Sequence, residues 1–161
     1  MGIGVNYLSK KVIVKTRRRD IRKIIKTVNF SMSQTQINRE LFEADENMTL
    51  IRTIVAGNYV NDNASEQAVF AVHKAVHGSS APTLNAVSTT VGDLYANAPA
   101  VHDNLYNKGF RGDADALRES VDADVKGMRK LKKGDKIFAS ALSSAVAGGE
   151  IFATVTLFFK E

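Results

Sequence analysis

The stretch EIFATVTLFFK, residues 150–160, constrains the fold more than any other part of the chain. Ile151, Ala153, Val155, Leu157 and Phe159 alternate with Phe152, Thr154, Thr156, Phe158 and Lys160, which is the period-2 signature of a β-strand. Aromatic residues fall on both faces. Such a strand is expected to lie centrally in a sheet or to be covered by a neighbour.

Other segments carry the same signature. In KTVNFSMS, Val28, Phe30 and Met32 alternate with polar residues, predicting a first strand over 24–33. The segment that follows, TQINRELFEADEN, reads as a connection with one helical turn. MTLIRTIVAGNYV, 48–60, is rich in β-branched residues and predicts a strand over 48–57. QAVFAVHKAV, 67–76, is compatible with strand or helix because of its alanines; its strand neighbours and the closing Gly78 favour strand. Residues 80–112 are broken by Pro82, Pro99, Gly92, Gly109 and Gly112, so long surface loops with short strands near 84–89 and 104–107 are expected. DADALRESVDADVKGMRKL, 113–131, is ambiguous, with helical spacing in its first half and alternation in its second. KKGDKIFASALSS contains a turn at Gly134-Asp135 that enters a strand over 136–143. Strands punctuated by turns, few convincing helices and no βαβ rhythm indicate an all-β sandwich.

Charge divides the chain. Residues 10–26 hold nine of its 22 basic residues, Lys10, Lys11, Lys15, Arg17, Arg18, Arg19, Arg22, Lys23 and Lys26, and one acid, Asp20. The remaining residues hold 13 bases and 16 acids, so the net +5 describes a basic arm on a slightly acidic body. So dense a run of like charge repels itself unless a polyanion neutralises it, and phosphate backbones suit that role because binding releases their condensed counterions. The domain reading is a basic arm over 1–22 and a folded body over 23–161. A body of roughly 135–140 residues buries enough surface to fold without staples. The absence of cysteine excludes disulfides and cysteine-based zinc sites. No apolar run approaches the ~20 residues that span a bilayer, so no membrane partner is expected.

A basic arm, an antiparallel sandwich with long middle loops and a hydrophobic C-terminal strand together resemble the single jelly-roll coat proteins of small icosahedral viruses. The similarity is closest to those of circular single-stranded DNA viruses. MTLIRTIVAG (48–57), MRKLKKGDKIFAS (128–140) and GEIFATVTLFFKE (149–161) carry the resemblance, about a third of the chain, through their order and spacing. The resemblance implies an eight-stranded jelly roll of two four-stranded antiparallel sheets, with strands at 24–33, 48–57, 67–76, 84–89, 104–107, 124–131, 136–143 and 150–160. It also implies self-assembly into an icosahedral shell around a viral genome, ssDNA or RNA. The arm would face inward and neutralise phosphates without reading bases. The expected location is the virion, and the host-cell interior before assembly. The arm is short and the body small for such coats.

Other motifs were weighed against plainer readings. RRRDIRK also suits a solvated tail or a nuclear-import patch. His73 and His77 have the i, i+4 spacing of helical metal ligands, but on a strand they stand about 13 Å apart, too far to share an ion. No metal and no cofactor are expected. Arg111-Gly112-Asp113 spells an adhesion tripeptide that a polar turn explains equally well. Asp113, Asp115, Glu119, Asp122 and Asp124 suit either an inter-subunit calcium site or a solvated face. Arg129, Lys130, Lys132 and Lys133 either extend an inner charged surface or guard an edge strand. No phosphate loop, GxSxG or marked carboxylate cleft is present, so no enzyme activity is expected. The alternative function is a non-viral or phage oligomeric β-sandwich that binds nucleic acid. A hydrolase or lectin-like module with its site in the 80–112 loops is a third reading, with no motif in its favour.

Overall fold

The computed structural model describes residues 20–60, 67–81, 83–84, 102–111, 118–144 and 149–160. The described elements are all strands: β1 (Ile21–Ser31), β2 (Ile37–Glu43), β3 (Met48–Val60), β4 (Gln67–Ala75), β5 (His102–Arg111), β6 (Arg118–Ser120), β7 (Ala123–Leu131), β8 (Lys136–Ser143) and β9 (Glu150–Lys160). They form two antiparallel sheets. The first runs β1-β9-β3, with β6 and β7 both on the far side of β3; the second runs β2-β8-β4-β5. β7 lies along Met48–Val55 and β6 along Asn58–Val60, so they are two pieces of one strand position, broken at Val121-Asp122. Each sheet therefore has four positions. First pairs with last, second with next to last, and so inward to β4 with β5, which is the pairing of a long hairpin rolled into a jelly roll.

β9 is central in the first sheet, as its two-faced pattern predicts: Ile21 through Ser31 lie opposite Lys160 through Glu150, and β3 flanks the other side. Its odd-numbered residues, Ile151 to Phe159, are fully buried between the sheets. There they meet Val28, Phe30, Leu50, Val55 and Tyr59 of the first sheet and Phe42, Phe70, Val72, Ile137 and Ala139 of the second. The rings pack in pairs: Phe42 stacks on Phe159 at 4.5 Å between centroids, and Phe30 tilts against Phe70 at 5.9 Å. Gly57 is required by this packing. A β-carbon there would sit 2.1 Å from the Phe152 carbonyl oxygen and 2.7 Å from the Ala153 α-carbon, both backbone of β9.

Several expectations need correction. Ile37–Glu43 is a strand, not a connection with a helical turn. A register shift between Glu40 and Phe42 leaves Leu41 and Phe42 both buried, and this bulge hides the period-2 pattern that would have announced the strand. The 48–57 strand is consequently third in order, not second, and continues to Val60. β1 begins at Ile21, taking two residues from the segment read as arm. The 104–107 strand is the longer β5. Of the expected 84–89 strand only Leu84 lies within the described residues, where it forms a single bridge.

The Gly134-Asp135 turn forms one corner of the sandwich. Gly134 adopts φ +87°, and a β-carbon there would meet the His77 ring at 2.4 Å. The Asp135 carboxylate, almost wholly buried, accepts the N–H of His77 at 3.1 Å and of Lys132 at 2.9 Å, with the Lys74 ammonium at 3.5 Å. Ala44 exchanges backbone hydrogen bonds with the same turn, donating to Asp135 and accepting from Gly134. The Asp135 side chain thus ties together the ends of β4 and β7, and the backbone of its turn adds the end of β2. Burial alone would raise the Asp135 carboxyl, but the two N–H donors and Lys74 outweigh it and hold it below the usual carboxylate range.

Candidate nucleic-acid interface

Of the nine expected phosphate-binding residues, Lys10, Lys11, Lys15, Arg17, Arg18 and Arg19 lie outside the described residues. Arg22, Lys23 and Lys26 are on β1, and alternation separates them. Arg22 falls on the side of β1 that faces β2, where its guanidinium lies 5.4 Å from the centre of the Phe42 ring and donates to the Asp45 carboxylate at 2.9 Å. That hydrogen bond holds the Asp45 carboxyl below its usual range. Arg22 therefore anchors the start of the strand and is already charge-compensated. Lys26 is exposed on the same side. Lys23 alone points to the outer face of the first sheet.

There the sheet register builds a row that no linear stretch contains. Lys23 on β1 lies opposite Phe158 on β9, Phe158 opposite Arg52 on β3, and Arg52 opposite Lys126 on β7. The Lys23 ammonium is 5.7 Å and the Arg52 guanidinium 5.6 Å from the centre of the Phe158 ring, within the range of cation–π attraction. Arg52 also donates two hydrogen bonds to Asp124, at 2.8 and 2.6 Å. The pair holds the Asp124 carboxyl below and the Arg52 guanidinium above its ordinary value. The next row toward the strand ends is Ile21, Lys160, Thr49 and Lys130. Beyond it, Lys130, Lys132 and Lys160 line a cleft of about 550 Å³ together with Asn47, Thr49 and the exposed Met128.

Five cations therefore gather at one end of this face, Lys23, Arg52, Lys126, Lys130 and Lys160, with the Asp124 carboxylate in the adjoining row beside Ile54. Toward the other end of β9 the face becomes neutral, with Phe152, more than half exposed, between Asn29 and Asn58. Lys126 and Lys130 also lie on an edge strand, since among the described residues β7 pairs only with β3. Of the second basic cluster, Arg129 and Lys130 lie on β7, and Lys132 and Lys133 in the turn that follows it.

Sequence reading missed Arg52, Lys126, Lys160 and Phe158 as partners of Lys23. The outward alternation of Phe158 and Lys160 along β9 was the visible signal. Their neighbours depend on register between strands more than a hundred residues apart in sequence.

The remaining candidates are placed as follows. His73 is fully buried beside the Ser140 hydroxyl, while His77 sits in the turn after β4 against Gly134. Among the described residues no group of three histidines and carboxylates is arranged to hold a metal ion. Gly112, Asp113 and Asp115 lie outside the described residues. Asp122 accepts from the Ser120 hydroxyl and the Gly57 N–H, closing the break between β6 and β7.

No protein-family model matches the sequence, and no curated protein matches it. Solved structures with some likeness include the decameric BFDV capsid protein, at 7% identity over 88% of this chain and 98% of that one, with a TM-score of 0.32. The Gt strain of infectious bursal disease virus gives 10% identity over 98% of this chain, which spans 36% of that one, with a TM-score of 0.39. A subunit of disulfide-linked Bacillus endospore appendages gives 7% identity over 87% of this chain and 88% of that one, at 0.34. The jelly-roll assignment rests on the chain's own strand pairing.

Proposed function

We propose that the chain is the coat subunit of a small icosahedral virus, whose jelly-roll body tiles with copies of itself into a closed shell while its basic segment binds the enclosed genome. The jelly roll is shared by capsid and lectin domains, so fold alone does not choose between them. The observation that carries the reading is continuity of charge. The basic run over residues 10–19 leads directly into β1, and Lys23 of that strand opens the cationic rows on the outer face of the first sheet. One side of the body and its leading segment thus present the same sign. In a shell whose inner surface is this face, genome phosphate cancels the repulsion among many like-charged subunits and couples closure to packaging. The chain acts by binding and assembly, without catalysis, in the virion and in the host-cell interior before it.

Expression of the full chain tests this. Size exclusion and negative-stain microscopy should show megadalton shells with the absorbance of copurified nucleic acid; a stable monomer or dimer overturns the coat reading. Replacing Lys10, Lys11, Lys15, Arg17, Arg18 and Arg19 with glutamine should remove most of that nucleic acid while leaving the fold intact. Retained nucleic acid would show that the segment is not the binder. The cationic sheet face also suits a non-viral or phage nucleic-acid-binding sandwich that stops at a small oligomer. Discrete dimers or tetramers that hold nucleic acid would select that reading.

A further inference from the structure

The outer face of β9 forms a floor along its strand. Phe152, Thr154, Thr156, Phe158 and Lys160 stand on it in succession, none of them buried. The two rings are six residues apart, about 20 Å at the usual rise of a strand. Between them the floor is low: Thr156 is flanked by Ile25 and Ile54, and Thr154 by Thr27 and Ala56. Lys23, Lys126, Lys130 and Lys160 gather at the Phe158 end, and the row beyond Phe152 sets Glu150 and Arg118 on either side of Val60. One exposed ring and one partly exposed ring beside cations match what a single strand of nucleic acid offers, which is unstacked bases beside a phosphate backbone. A duplex hides its base faces and could use only the charges. A second copy of the chain fits poorly wherever a two-fold contact lays the cationic end of one face on that of the other, which opposes Lys23, Lys126, Lys130 and Lys160 to their own like charges.

We infer that the outer face of the first sheet is a track for single-stranded nucleic acid, with bases stacked on Phe152 and Phe158 and phosphates held by Lys23, Lys126, Lys130 and Lys160. This rests on the nucleic-acid reading above and sharpens it. The leading basic segment binds any polyanion, whereas the sheet face distinguishes unpaired bases from paired ones. Arg52, neutralised by Asp124, offers its guanidinium plane beside Phe158 as part of the stacking surface.

The chain contains no tryptophan, so Phe158→Trp and Phe152→Trp each install a single indole reporter in the full-length protein. Each variant is titrated with end-labelled oligo-dT, oligo-U, a DNA duplex and heparin. Label anisotropy, or displacement of the labelled oligomer for heparin, reports binding, and indole quenching reports contact with the face. Oligo-dT and oligo-U should quench both indoles in step with binding, while duplex and heparin bind without quenching. Phe158→Leu should weaken oligo-dT binding by roughly tenfold and leave heparin binding unchanged.

Binding of oligo-dT without quenching overturns the track and leaves the coat reading standing. Equal quenching by heparin overturns base stacking. Indole emission that changes with protein concentration before any polyanion is added overturns it in favour of a subunit contact. Failure of all four polyanions to bind at low salt overturns the nucleic-acid reading itself.

Discussion

The two sheets share one core but treat their outer faces in opposite ways. On the second sheet, Val69, Ala71 and Leu142 form a separate buried cluster with Leu84, and His73 and Ser140 are buried on the same face. On the first sheet the corresponding face carries lysines, threonines and partly exposed phenylalanines. A strand that is apolar on both sides, such as β4 with its QAVFAVHKA, needs cover on both sides. A strand that alternates, such as β9, can leave one side open. The second sheet is covered on both faces, and the first keeps a polar, cationic outer face, which is the face proposed above to meet a charged partner.

The comparison can be broken most readily at Val69. Val69→Asp places an unpaired charge in a fully buried site and should cost about 4 kcal/mol or more, read from the urea midpoint; a change below about 1 kcal/mol would mean that the face is open. The interior of the first sheet should be nearly as intolerant. Gly57→Ala drives a methyl group into the β9 backbone and should cost about 3 kcal/mol by the same measurement.

At the corner shared by both sheets, Asp135→Asn turns an acceptor of two N–H bonds into a partial donor beside Lys74, with an expected loss of about 2 kcal/mol near neutral pH. The sign of its pH dependence follows from the lowered carboxyl. The unfolded group titrates near 3.8 and the folded one below it, so the contribution is complete above that pH and declines as pH falls through the folded value. Thermal melts of the asparagine variant and the parent should therefore converge in acid; parallel curves would refute the assignment. The smallest effect belongs to the open face. Thr156→Lys, on the floor of β9, should change stability by no more than about 0.5 kcal/mol while strengthening oligonucleotide binding measured by anisotropy.

Much of the architecture was legible in sequence because it depends on alternation. β8 and β9 emerged with their boundaries; β4, which does not alternate, was placed by its strand neighbours and the closing Gly78, and β7 took its bounds from the resemblance. β2 was illegible because a bulge puts adjacent Leu41 and Phe42 both inside, among Arg39, Glu40 and Glu43, which imitates a helical turn. The candidate interface was half legible. Lys23 stood in a visible basic run, but the same run contains Arg22, which the fold spends on Asp45 and Phe42. Proximity in sequence could not separate these two neighbours; the side of the strand did. No aromatic residue interrupts residues 10–26, which counts against stacking within that run itself. The aromatic partner comes instead from Phe158, on a strand that reaches Lys23 only through tertiary pairing.

The rolled-hairpin pairing also dictates an order of events during synthesis. β1 and β3 do not touch as ladder partners; β9 stands between them, so the first sheet lacks its middle until residues 150–160 have left the ribosome. Pairing across such separations is slow and leaves strand edges bare in the interval. The basic leading segment, by contrast, carries its charge as soon as it emerges. Polyanion attraction is therefore available to the nascent chain well before the surface that would tile with other copies exists.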